Sequence, residues 1–207
     1  MFYLALIGDF CSSPELHATE EVRHSLQPTL LQANSIFRDA LASPSSVTPD
    51  GQIQALFINP EPIWAFITGL QASLRPTDLR FGLGVGSLDT PINPNVALDM
   101  EGPAFQRARD ALSKLREDGG FYRINGISNA TLTNASLTLI AQLQRTWNDN
   151  RFTVYHDYLR EAPVPQTAAT LGISKAAIYK NIHDGFLQDL AKIQQAASGH
   201  MLAAMLV

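Results

Sequence analysis

The 207-residue chain is short of the groups that usually announce chemistry in a sequence. Its one cysteine, Cys11, excludes an internal disulfide and any cysteine-rich zinc site. Only 16% of residues are charged, and 15 Lys+Arg against 19 Asp+Glu leave a net charge of -4. The chain as a whole therefore has no attraction for a polyanion, and any basic surface has to be local. No apolar run approaches the roughly 20 residues of a membrane helix, and the stretch from Met201 to Val207 is far too short. Met1 to Ile7 is apolar but lacks a basic start and soon meets Asp9, so no signal peptide and no membrane insertion are expected. The expected location is cytoplasmic. The five histidines are scattered, and His17 and His24 stand seven apart rather than at the i, i+4 spacing of a two-histidine metal site. Cys11 has no histidine at short spacing, and Ser12-Ser13 lacks a nucleophile-elbow pattern. What is plentiful is apolar surface: a 45% hydrophobic fraction is enough for a real core.

The periodicity supplies an order of elements. Phe2 to Phe10 reads as a buried strand ended by Gly8-Asp9. From Pro14 to about Ala42 the period is helical, with Val22, Leu26, Leu30, Ala33, Ile36, Phe37, Ala40 and Leu41 on one stripe and Pro28 as a kink or break. Ser43 to Ser46 reads as a loop. Ser46 to Phe57 carries Asp50-Gly51 between two extended segments, a hairpin signal. A helix over residues 60–74 follows, then a strand over 79–88 with Gly82, Gly84 and Gly86 at alternate positions. That glycine row has no helix start behind it to take a phosphate, so close backbone packing explains it better than dinucleotide binding. A Pro-rich loop leads to a helix from Pro103 to about Leu115, closed by Gly119-Gly120, and residues 121–127 read as an edge strand. Everything from about Asn129 onward can be helical. Two strand–helix–strand units around a hairpin predict an α+β, ferredoxin-like sheet with helices on one face, followed by an all-α domain. The expected division is residues 1–127 and 128–207.

The sharpest local pattern spans residues 165–183, where Gln166 to Ile182 has the spacing of a helix-turn-helix. Ala168 is small where two helices would touch, and Gly172 suits a turn needing positive φ. Leu171, Ile173, Ile178 and Ile182 are apolar anchors, and Ser174 suits an N-cap. The contact candidates for DNA are Ser174, Lys175, Ala177, Tyr179, Lys180 and Asn181. An ordinary helical hairpin, or one used for protein contacts, has the same spacing. Residues 151–207 hold five Lys/Arg (Arg151, Arg160, Lys175, Lys180, Lys192) and four Asp/Glu (Asp157, Glu161, Asp184, Asp189), so one copy would bind DNA weakly. A homodimer would double the phosphate contacts, and the stretch from Phe186 to Val207 is a candidate dimer surface.

The combination of Ile7-Gly8-Asp9, Gln54-Ala55-Leu56, the segment from Leu79 to Gly86, and Glu101-Gly102-Pro103-Ala104-Phe105 with Ala108-Arg109 resembles the SatD family. These are bacterial proteins with a C-terminal helix-turn-helix similar to this one. The N-terminal half also resembles, remotely, the class III nucleotidyl cyclase and GGDEF fold. That resemblance implies a first-strand Asp beside a second Asp in the hairpin, together holding a divalent metal and nucleotide. Aligned on Gln54-Ala55-Leu56, the hairpin positions are Gly51 and Gln52, so two carboxylates are missing. Asp50 is one residue off, and a one-residue slip reverses side-chain direction.

The expected function is a DNA-binding regulator without a cofactor, whose N-terminal domain senses a small-molecule ligand or dimerises. Asp9, Asp50, Arg80 and Arg109 are the candidate ligand or metal contacts. A structural ion pair is the plainer reading of Arg80 and Arg109, with Asp9, Asp99 or Glu101 as partners. Two alternatives stand beside this: a metal-dependent nucleotide-processing enzyme using Asp9 and Asp50, and a protein-interaction adaptor.

Overall fold

The structure, a computed structural model, describes residues 1–11 and 20–207, and of residues 20–25 the backbone alone. The expected first turns of the long helix (residues 14–19), Ser12, Ser13 and His17 lie outside the described residues, as do the side chains of Val22 and His24. The chain is α+β. In order it forms β1 (Tyr3–Phe10), α1 (Glu20–Ile36), β2 (Leu41–Val47), β3 (Ile53–Phe57), α2 (Ile63–Leu74), β4 (Leu79–Gly86), α3 (Pro103–Asp118) and β5 (Tyr122–Asn125). Five helices complete it: α4 (Ala130–Gln144), α5 (Asp149–Leu159), α6 (Val164–Leu171), α7 (Lys175–Asp184) and α8 (Leu187–Met205).

The strands make one sheet in the order β2-β3-β1-β4-β5. β1 lies in the middle, antiparallel to β3 and β4, while β5 runs parallel to β4. Successive side chains of β1 point to opposite faces. Leu4 and Leu6 enter a core with α1, α2 and the C-terminal helices, whereas Ala5 and Ile7 meet α3. Helices therefore cover both faces, which corrects the one-face expectation. The reason is the parallel β4–α3–β5 crossover, which carries α3 to the side opposite α1 and α2.

The glycine row of β4 is what lets α3 lie so close. A Cβ on Gly82 would come 2.6 Å from the Leu112 amide nitrogen, and one on Gly86 would come 2.8 Å from that of Ala104. At Gly84 it would strike the Ala104 carbonyl and the Ala108 nitrogen. Ala104, Ala108 and Ala111 complete the fit with small side chains on α3. Backbone packs on backbone, as the spacing predicts.

Two boundaries differ from the sequence reading. The long helix ends at Ile36 rather than near Ala42; a 3-10 turn over Arg38–Ala40 follows, and Leu41 already belongs to β2. Ile36, expected on the buried stripe, is 41% exposed. Ser43 to Ser46 is strand rather than loop. β2 is an edge strand with irregular register, where a proline costs no ladder bond, so Pro44 is accommodated. Pro28 sits inside α1 without dividing it. The Asp50-Gly51 turn joins β2 and β3 as expected, with Gly51 at φ 84.

Both edges of the sheet are clamped by an asparagine from a helix. Asn34 of α1 accepts from the Ser45 amide at 2.8 Å and donates to its carbonyl at 2.9 Å. Asn134 of α4 does the same to Ile124 in β5, at 2.8 and 2.9 Å. Each amide takes the place of a neighbouring strand, which keeps another chain from pairing there.

The C-terminal helices share the core of the sheet. The buried Tyr122 hydroxyl lies 2.7 Å from both the Gln71 and Gln144 amide oxygens, tying β5 to α2 and α4. Trp147 packs edge-on against Phe152 and Tyr155, both at 5.3 Å. Arg75 stacks over Phe152 and binds Asp149 at 3.0 Å.

Candidate functional site

The two helices of residues 165–183 form with a three-residue turn between them. Pro163 and Pro165 start α6, where missing amide hydrogens cost nothing. Gly172 ends it at φ 62, and its amide turns back to the Ala168 and Ala169 carbonyls. Only a residue without Cβ takes that left-handed turn freely. The Ser174 hydroxyl caps α7 by accepting from the Ala177 amide at 3.1 Å. Ile178 is buried, and Leu171, Ile173 and Ile182 pack against the same core. Thr167, also buried, donates to the Asp157 carboxylate at 2.7 Å and fixes α6 to α5.

The face of α7 opposite Ile178 is uncovered. Lys175, Ala176 and Lys180 are exposed, Ala177 is half-buried, and Tyr179 is 60% exposed. Asn181 stands apart from these. Its amide donates to the Ala177 carbonyl at 2.9 Å, and its oxygen accepts from Arg151 Nε at 3.2 Å. Arg151, at the start of α5, is thus drawn beside α7 across thirty residues, and no local spacing in the sequence signals it. At the other end of α7, His183 lies 3.1 Å from Asp184. That hydrogen bond holds the Asp184 carboxyl below its ordinary range, and the nearby Lys180, His183 and Arg151 charges add to the effect. The stretch from Phe186 to Val207, a candidate dimer surface, turns Leu187, Leu190, Ala197 and Met201 of α8 into the chain's own core.

Of the second group of candidates, Asp9 and Arg80 are cross-strand neighbours, while Asp50 and Arg109 make separate contacts elsewhere. Asp9, 4% exposed at the end of β1, is held by Arg116 of α3 through Nη2 at 2.6 Å and Nε at 2.9 Å. Arg80 faces Asp9 across the β1–β4 ladder and donates to the Phe10 carbonyl at 2.8 Å. Arg109 pairs with Glu101 at 2.6 Å. Asp50 lies on the exposed hairpin turn and accepts from the Thr48 hydroxyl at 2.5 Å. Arg116, the partner of Asp9, has no local signal in the sequence, because it sits 107 residues away on an otherwise solvated helix face. Among the described residues, no group of three or more His, Cys, Asp or Glu side chains is placed to hold a metal ion. The set present, one carboxylate already neutralised by a guanidinium and one on a turn, does not fit a two-metal nucleotide site. Among those residues, no helix is long and apolar enough to cross a membrane.

No curated protein matches this chain. A solved structure described as a regulator of polyketide synthase expression from Bifidobacterium adolescentis is similar over 99% of this chain and 80% of that one. Its identity is 15% and its TM-score 0.27, a likeness at which neither fold nor function carries over. The family comparison is of a different order. The model of the SatD family matches residues 3–168, from the start of β1 into α6, and the chain belongs to that family.

Proposed function

We propose that this protein is a DNA-binding regulator in which α6 and α7 form a helix-turn-helix and α7 enters the major groove. The observation that carries the reading is α7 itself, capped by Ser174, anchored by Ile178, and with Lys175 and Lys180 both exposed. Lys175, Lys180 and, beside Asn181, Arg151 put three basic groups on or next to α7, suited to phosphate contacts that set orientation on a duplex. Ser174, Ala177 and Tyr179 belong to the same proposed contact set. Asn181 would reach a base edge only by giving up its bond to Arg151. The reading includes a homodimer, because one copy offers few phosphate contacts. Leu132 and Leu139, seven apart on α4 and 69% and 72% exposed, are apolar surface suited to that use.

The division into an N-terminal sheet domain (1–127) and a helical domain (128–207) belongs to the same proposal. So does a ferredoxin-like, cyclase-like ancestry for the first four strands, supported by β1 lying antiparallel between β3 and β4. A metal-dependent nucleotide enzyme through Asp9 and Asp50 has no support in the donor set of the described residues. The adaptor reading has one observation in its favour: Tyr179 and Phe186 are 60% and 59% exposed, and aromatic surface of that kind suits a protein partner.

Chromatin pulldown of the tagged protein tests the proposal, with Lys175→Ala/Lys180→Ala as the control. Discrete genomic peaks that vanish in the control are expected. Peaks unchanged in the control, or no peaks in the wild type, would overturn the reading and favour the adaptor.

A further inference from the structure

Next to α7 the chain leaves a cleft of about 1120 Å³. Its walls come from the start of α2, the connection between α5 and α6, one flank of α7, and the outer part of α8. Phe37, Trp64, Tyr158 and Tyr179 give it four aromatic side chains. Its charges cancel, with Glu61 and Glu161 against Arg160 and Lys192. Size and aromatic lining are those of a small-molecule site.

The polar atoms say more. Trp64 is 3% exposed and Gln194 fully buried, and both line the cleft. The Trp64 indole nitrogen and the Gln194 amide nitrogen have no hydrogen-bond partner among the described residues. The Gln194 oxygen is occupied by the Tyr155 hydroxyl at 2.6 Å, which turns the amide NH2 away from Tyr155. Both donors are also closed to water, each exposing less than 1 Å². Buried donors normally find an acceptor, so two of them in the wall of one aromatic cleft need a reason.

We infer that the cleft binds a small, uncharged, planar aromatic molecule bearing carbonyl oxygens, which the Trp64 indole and the Gln194 amide recognise as acceptors. The cancelled wall charges give no hold on an ion, and the four aromatic side chains favour a flat apolar body. Recognition requires each donor to turn outward into the cleft, since both are closed to water in this structure. Tyr179 and Ile182 of α7 line the same space, so an occupied cleft bears directly on the helix proposed to meet DNA. That regulatory consequence rests on the DNA-binding reading; the site does not.

The test uses the full chain, labelled with 15N, and coumarin as the probe. Naphthalene, of similar shape without an acceptor, is the comparison. Coumarin should shift the Trp64 indole N–H saturably and leave that of Trp147, whose indole does not line the cleft, in place. The Tyr179 and Ile182 amides should move with the same apparent Kd. Gln194→Met should weaken coumarin about five- to tenfold, the loss expected for one hydrogen bond. Trp64→Phe, which assigns the indole signal, should weaken it similarly. Should Trp64→Phe fail to fold, Gln194→Met retains both tryptophans and decides alone. No saturable shift up to the solubility limit, equal affinity for naphthalene, or equal movement of both indoles would overturn the proposal. No readout involves DNA, so failure of this site and failure of the DNA-binding reading are distinguishable.

Discussion

Two contacts within this chain are built in opposite ways. Where α3 meets β4, three glycines and three alanines bring backbone against backbone and leave no room for a methyl group. Where α2, α7 and α8 come together, large aromatic side chains stand around open space, and two buried donors are left without partners. The first contact contributes rigidity and fixes how α3 presents Arg116 to Asp9. The second is the kind of place a ligand completes. Three glycines rank the difference. A Cβ at Gly84 would strike helix backbone, one at Gly69 would come 2.8 Å from the His156 ring, and one at Gly199, on α8, would meet nothing within 4 Å.

The largest expected effect breaks the closed contact. Gly84→Ala should destabilise the fold by about 3 kcal/mol, at the upper end of overpacking costs, because rigid backbone on both sides cannot yield. Urea denaturation measures it, and a loss below about 1 kcal/mol would mean that the seam is looser than described. On the open side the sign reverses. Gly199→Ala meets no atom and removes a helix-interior glycine, so it should stabilise by about 0.5–1 kcal/mol in the same assay. A loss there would show that the cleft wall is packed.

The intermediate contact is sharpened by pH. Burial, with Arg160 nearby, lowers the His156 pKa below its ordinary 6.5. The folded chain therefore keeps the ring neutral at pH values where the unfolded chain takes up a proton. Stability tied to this ring is present above about pH 6.5 and is lost as pH falls toward the lowered folded value. His156→Gln should flatten the decline in Tm as pH falls below about 6.5. An unchanged slope would place the acid sensitivity elsewhere.

The closed contact is legible in the sequence and the open one is not. Alternate glycines within a strand state a packing rule within a few residues. Gly172 and Ser174 likewise announce a turn and a cap within a few positions. The cleft joins Phe37, Trp64, Tyr179 and Gln194, residues up to about 160 positions apart, and no local period links them. The Asp9–Arg116 pair is hidden for the same reason. Ser43 to Ser46 misleads because Ser and Pro suit loops, and only an edge strand held by Asn34 makes them a strand. Asn181 suits a base contact by position on the helix, and only the fold brings Arg151 alongside it.

The central claim is that α7 meets DNA, and the most direct measurement is affinity for a random-sequence duplex at 50 and 200 mM salt, by fluorescence anisotropy. The account predicts binding that weakens steeply with salt. Lys175→Ala/Lys180→Ala should lower the salt slope by about 2 for each copy bound, one unit for each phosphate that a lysine no longer neutralises. No binding at 50 mM salt, or a slope unchanged by the double substitution, would contradict it.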